Sequence, residues 1–181
     1  MSRYEEVVRY YRRVIRLAKV TGNRFEEARA CSNLGYYYID GGRWWRSEVL
    51  SCHALAIFEA LESDHGRAHT HNHLGVLYIR INNWSEAESH LFAACHLWIA
   101  MQDQHSLIYG FENLSLLFIE TNRPHESLIY LRKAENLVQQ TGESSEIAAI
   151  WGNMAEAYRQ IGNLDDAITY ASKAENLIER T

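Results

Sequence analysis

The chain has 181 residues, 18 lysines and arginines against 23 aspartates and glutamates, a formal net charge of −5 and a pI near 6.0. That balance argues against a nucleic-acid binder, which would show a strongly basic domain or stripe. No apolar run approaches the roughly 20 residues a bilayer-spanning helix needs, and no charged-then-apolar leader stands at the start, so a cytoplasmic location is expected.

In chain order, residues 1–24 are basic: Arg3, Arg9, Arg12, Arg13, Arg16, Lys19 and Arg24 face only Glu5 and Glu6, leaving the rest of the chain at −10. This reads first as a solvated helix face and second as a surface for an anionic partner. From residue 24 onward the chain repeats at an offset of 40. Asn33-Leu34-Gly35-Tyr36-Tyr37-Tyr38 returns as His73-Leu74-Gly75-Val76-Leu77-Tyr78, as Asn113-Leu114-Ser115-Leu116-Leu117-Phe118 and as Asn153-Met154-Ala155-Glu156-Ala157-Tyr158. A fixed period of this length marks stacked supersecondary units.

Apolar residues recur with a period near 3.6 in two stretches per unit, which predicts first helices at about 25–40, 66–80, 106–120 and 145–160. Second helices are expected at about 44–62, 84–102, 124–140 and 164–180. Turns fall at Gly41-Gly42, Asn82-Asn83, Asn122-Arg123 and Gly162-Asn163, where a left-handed residue lets the chain leave the helix. Pro124, the only proline, stands where a helix begins. Small residues recur once per unit on the second helices, Ser47, Ala87, Ser127 and Ala167 and then Ala54, Ala94, Ala134 and Ala174, where they allow close helix approach. Leu34, Leu74, Leu114 and Met154 fill the space between. Tyr4, Val7, Tyr11, Val14 and Leu17 align with Trp44, Ser47, Ser51, Ala54 and Ile57, so the first helix is the second half of an incomplete repeat. The division is a half repeat at 1–23 and repeats at 24–64, 65–104, 105–144 and 145–181, in one array.

These residues resemble the tetratricopeptide repeat: Leu34-Gly35 and Leu74-Gly75, the aromatics Tyr38, Tyr78, Phe118 and Tyr158, Trp151 ahead of Met154, and the two small-residue positions. The repeat here is longer than the family's usual 34 residues and lacks the proline that ends its second helix. In that it resembles the long repeats of LGN-type scaffolds, of kinesin light chain and of bacterial regulators. The resemblance implies an all-α, right-handed superhelical solenoid of antiparallel helix pairs.

The end of the chain carries no polar capping helix, which predicts that the apolar seam of Leu177 and its neighbours is partly open and points to a piece of a longer array or to self-association. Cys31, Cys52 and Cys95 lack C-x-x-C spacing and read as small buried apolar residues. Trp44 and Trp84 occupy the position that closes the turn, whereas Trp45, matched by Ser85, His125 and Asp165, is expected on the surface.

No phosphate loop, zinc helix or nucleophile elbow occurs, so no enzyme activity and no cofactor are expected. His65, His69 and His73 share one helix face, but nothing forces a further ligand onto them; they read as a polar groove and not as a metal site, with titration near pH 6.5 a further thought. The resemblance places ligand contacts on the first helices. By spacing from the Leu-Gly position the groove takes Arg29, Ser32, Asn33, Tyr36 and Asp40, then His69, Asn72, His73, Val76 and Arg80. Tyr109, Glu112, Asn113, Leu116 and Glu120 follow, then Asn153, Glu156, Arg159 and Gln160.

Asn33, Asn113 and Asn153 hold one place in three units, broken by His73, and a carboxamide there can grip a peptide backbone whatever its sequence, or tie adjacent helices together. The expectation is a non-catalytic scaffold for a protein or extended peptide, the regulatory or sensory part of a larger bacterial protein. The alternative is a homo-oligomerisation module pairing through its terminal helices.

Overall fold

The structure is a computed structural model that describes residues 3–141 and 146–179. Among these residues it is all-α: α1 (Arg3–Thr21), α2 (Arg24–Asp40), α3 (Trp44–Ala60), α4 (Asp64–Arg80), α5 (Trp84–Met101), α6 (Gln104–Glu120), α7 (Pro124–Thr141), α8 (Ile147–Ile161) and α9 (Leu164–Ile178). Each expected helix is present, with ends shifted by up to about two residues. The expected start at 145 and end at 180 lie outside the described residues.

One turn recurs. The chain leaves each first helix through a left-handed residue, Gly42 (φ 64°), Asn82 (59°) and Asn122 (57°) two residues past the helix end and Gly162 (86°) immediately after it. The next N–H then bonds back to the carbonyl of the conserved aromatic position: Arg43 to Tyr38 at 2.9 Å, Asn83 to Tyr78 at 2.9 Å, Arg123 to Phe118 at 2.7 Å and Asn163 to Tyr158 at 3.0 Å. This six-to-one bond satisfies a carbonyl that the helix end would leave orphaned. The turns between repeats follow the same rule at Gly22, Glu62 and Gln102, the last two without glycine. Each is followed by a capping side chain, Asn23, Ser63 or Asp103, whose oxygen accepts from the backbone N–H three residues on.

By packing, the chain divides into two compact units, Met1–Leu97 and Trp98–Thr181. In the first, α2 packs on α1, α3 and α4; in the second, α6 packs on α7 and α8, and α8 on α7 and α9. The small positions are the seams: Ser47, Ala54, Ala87, Ala94, Ser127 and Ala134 are fully buried, as are Leu34, Leu74, Leu114 and Met154 between them. The glycine of the Leu-Gly pair is sterically required. A methyl group on Gly35 would lie 2.5 Å from Ser51 Oγ and 3.1 Å from the Ser47 carbonyl oxygen, and one on Gly75 would lie 2.5 Å from Leu91 Cδ2.

Two expectations are corrected. Cys31 and Cys95 are buried, but Cys52 is exposed, because it lies on the outer side of α3 between the inward Ser51 and Ala54. Trp44 is 46% exposed, since it stands at the very start of α3 with only part of its ring covered; Trp45 is exposed as expected. On α9 the expected partly open seam is present, with Leu177 half-buried beside exposed Ile178 and with Leu164 and Ile168 exposed, because α9 turns Ala167 and Ala174 inward. No helix among the described residues is long and apolar enough to cross a membrane.

Candidate functional site

First helices of successive repeats touch directly, α2 with α4 in one unit and α6 with α8 in the other. The expected groove residues all lie on these four helices.

On α2 and α4, Ser32 is buried and not groove-facing, against expectation, because it is drawn into a polar chain. Thr70 Oγ1 lies 2.8 Å from the Gly66 carbonyl oxygen and 3.0 Å from Ser32 Oγ, and Ser32 Oγ lies 2.9 Å from His73 Nδ1. A carbonyl only accepts, so for all three contacts to be hydrogen bonds Thr70 donates to Gly66, Ser32 donates to Thr70, and His73 Nδ1 carries the proton that reaches Ser32. Burial and the neighbouring His69 push the His73 pKa down to about 3, so the ring is neutral at physiological pH and Nε2 is left as an acceptor. Tyr36 packs on the same ring with centroids 4.6 Å apart. Arg29 is held to Glu26 at 2.7 Å, and Asp40 and Arg80 are exposed. Asn33 is half-buried and forms no side-chain hydrogen bond within the described residues.

The histidine run therefore does not act as one stripe. His65 and His69 pack together at 4.4 Å, half-buried Asn72 follows on the same helix, and His73 is engaged by Ser32. His71 turns to His90, Nδ1 to Nδ1 at 2.8 Å, and burial lowers its pKa to about 4. Titration near pH 6.5 does not hold for His71 or His73.

On α6 and α8, Tyr109 donates to Glu146 Oε1 at 2.8 Å. Burial, and then the charge of Glu146, push the Glu112 carboxyl up to about 7. Asn113 is half-buried on the same face. Further along, a cleft of about 510 Å³ is lined by Leu116, Glu120, Asn122, Asn153, Glu156 and Gln160. Glu156 is held by both Arg159 nitrogens at 2.6 and 2.7 Å and accepts from Gln160 Nε2 at 3.1 Å. Gln160 Oε1 is buried without a partner, and Asn153 makes no side-chain hydrogen bond among the described residues. Asn122, expected only as a turn residue, also lines this cleft. It sits just past α6, where the turn folds it back beside Gln160.

Residues 148–180 match the family model described as tetratricopeptide repeat. That segment carries a tetratricopeptide repeat. No curated protein matches the chain by sequence at significant similarity. Among solved structures, the chain is similar to aspartyl phosphate phosphatase F from Bacillus subtilis, with TM-score 0.80 and 15% identity over 87% of this chain and 41% of that one. It is similar to a putative kinesin light chain from Podosopora anserina with nearly identical TPR-like repeats, with TM-score 0.78 and 15% identity over 98% and 89%. A third is BtubC (BKLC) from P. vanneervenii, with TM-score 0.69 and 14% identity over 99% and 92%. At these identities the likeness is one of fold. The array spans less than half of the phosphatase chain.

Proposed function

We propose that the tetratricopeptide array is a non-catalytic scaffold, cytoplasmic and part of a larger bacterial regulatory protein, that binds an extended peptide or protein segment along the faces of its first helices. The observation that carries this reading is unused amide capacity. Asn33, Asn153 and the carbonyl of Gln160 have no side-chain partner among the described residues, and the last two line one cleft. Asparagines that served to tie helices together would have been bonded to them. A free carboxamide beside a groove both donates to and accepts from a peptide backbone, and Tyr36 and Tyr109 add exposed ring area at low entropic cost.

The alternative of self-association draws on α9, whose Leu164, Ile168 and Ile178 form an exposed apolar stripe. A mass that rises with concentration and falls to the monomer in Ile168→Asp would favour it.

The test of the leading reading is selection from a random peptide display library on the wild type and on the Asn33→Ala, Asn113→Ala, Asn153→Ala variant, with helicity followed by circular dichroism. Peptides enriched by the wild type should lose about one to three decades of affinity on the variant, at roughly 0.5–1.5 kcal/mol per bond. Enrichment by neither folded protein, or equally by both, overturns it.

A further inference from the structure

The basic character of α1 has a structural counterpart away from the first-helix faces. Arg9, Arg12, Arg13 and Arg16 come together with Tyr4 and with Arg43 from the α2–α3 turn around a cleft of about 590 Å³. Two of the guanidinium groups are fixed in place. Arg12 donates to Tyr38 Oη at 3.1 Å, and Arg43 lies over the Tyr4 and Tyr38 rings at 5.8 and 6.0 Å. Arg9, Arg13, Arg16 and Arg43 form no ion pair among the described residues, and Glu5 is the only acidic side chain lining the cleft. Five guanidinium groups gathered around one acid repel one another, and an external anion relieves that repulsion.

Arg12 also lines a second, apolar groove of about 330 Å³ with Ile15, Leu50, Trp45 and Val49. Trp45 and Val49 are 66% and 59% exposed and together give this groove an apolar surface open to a partner. The two hollows meet at Arg12, so one ligand can reach both.

We propose that this face docks an acidic segment of a partner protein, its carboxylates in the arginine cleft and one apolar side chain in the Trp45 groove. Two features favour a protein segment over other anions. The arginines from 9 to 16 span only about 10 Å of helix, while the chain outside residues 1–24 carries −10 and repels an extended polyanion. The apolar groove, besides, has no counterpart in a phosphate backbone, whereas it fits an aliphatic or aromatic anchor.

The test uses the full chain and fluorescence anisotropy with a short labelled peptide of glutamates bearing one central leucine. The wild type binds it. Arg9→Gln with Arg13→Gln and Arg16→Gln weakens binding about tenfold, as expected for three exposed ion pairs. All three arginines are exposed, so helicity should be retained. Val49→Asp, or removal of the leucine from the peptide, weakens binding severalfold, and the triple asparagine variant leaves it unchanged, which separates this face from the first-helix faces. Absence of binding, indifference to the arginine substitutions, or tighter binding of a thymidine oligonucleotide or of phosphatidylserine vesicles than of the peptide would overturn the assignment.

Discussion

Replacing Glu112 with glutamine tests the electrostatics of the α6–α8 face directly. Its carboxyl titrates at about 7 in the folded chain against an ordinary 4.5, chiefly because burial opposes its ionised form and secondly because Glu146 is a like charge. Between these two pH values the folded chain holds a proton that the unfolded chain has released. Stability therefore falls as pH rises through this window, at about 1.4 kcal/mol per pH unit, for a total of roughly 3 kcal/mol that Glu112→Gln does not suffer. Partial solvation of the site makes that figure an upper one. The assay is urea unfolding followed by circular dichroism on both proteins from pH 5 to pH 8. Wild type and variant should match near pH 5, and the variant should gain progressively to become more stable by up to roughly 3 kcal/mol at pH 8. A stability difference that stays flat across this range would refute the reasoning, since it would mean that Glu112 is ionised alike in both states.

Glu27 is 2% exposed and bonds Arg24 at 2.7 Å and His53 at 2.8 Å, with Lys19 at 3.7 Å. Repeats three and four place Leu107 and Ile147 at the same position. Glu27→Leu should therefore fold with stability within about 1 kcal/mol of the wild type or above it at pH 7, because its partners are largely solvated and a buried carboxylate costs desolvation. Burial opposes ionisation of Glu27, but the His53 and Arg24 bonds outweigh it and hold the pKa below 4.5. The wild type thus loses this contribution as pH falls below about 4.5 and the variant does not, which thermal unfolding at pH 7 and pH 3 would show. Gln102 sits at φ 57° without being glycine. Gln102→Gly should raise stability by about 0.5–1 kcal/mol, the left-handed penalty less the added chain entropy, and a lowered melting temperature would contradict this.

The fold was legible because its signals repeat. A single Leu-Gly pair says little, but Gly35 and Gly75 at one offset, each with a second-helix side chain where a methyl group would go, announce a packed seam. The left-handed positions at Gly42, Asn82, Asn122 and Gly162 were marked by residue types that tolerate that conformation, whereas Glu62 and Gln102 were not and left no trace in the sequence. The site was less legible because side-chain partners come from neighbouring helices whose rotation the period does not specify. Ser32 looked groove-facing until His73 and Thr70 claimed it, and the histidines at 65, 69 and 73 shared a helix face yet found different partners.

The position held by Glu112 shows how the two levels combine. Its equivalents are Ser32, Asn72 and Gly152, so the repeat accepts a hydroxyl, an amide or no side chain there, and packing does not require a carboxyl. At Ser32 the polar atom is absorbed by hydrogen bonds inside its own unit. At Glu112 burial and Glu146 instead work against the charge, at a cost to stability that builds up between pH 4.5 and about 7 and stays in full above it. A carboxyl that weakens the fold where three smaller side chains stand in the other repeats is not explained by packing within its own unit. A cationic side chain of the bound segment would reverse both penalties, since an opposite charge restores ionisation and supplies the missing partner. On the proposed reading, the second unit's face would suit a segment carrying a lysine or arginine beside Glu112, and the arginine cleft on α1 one carrying carboxylates.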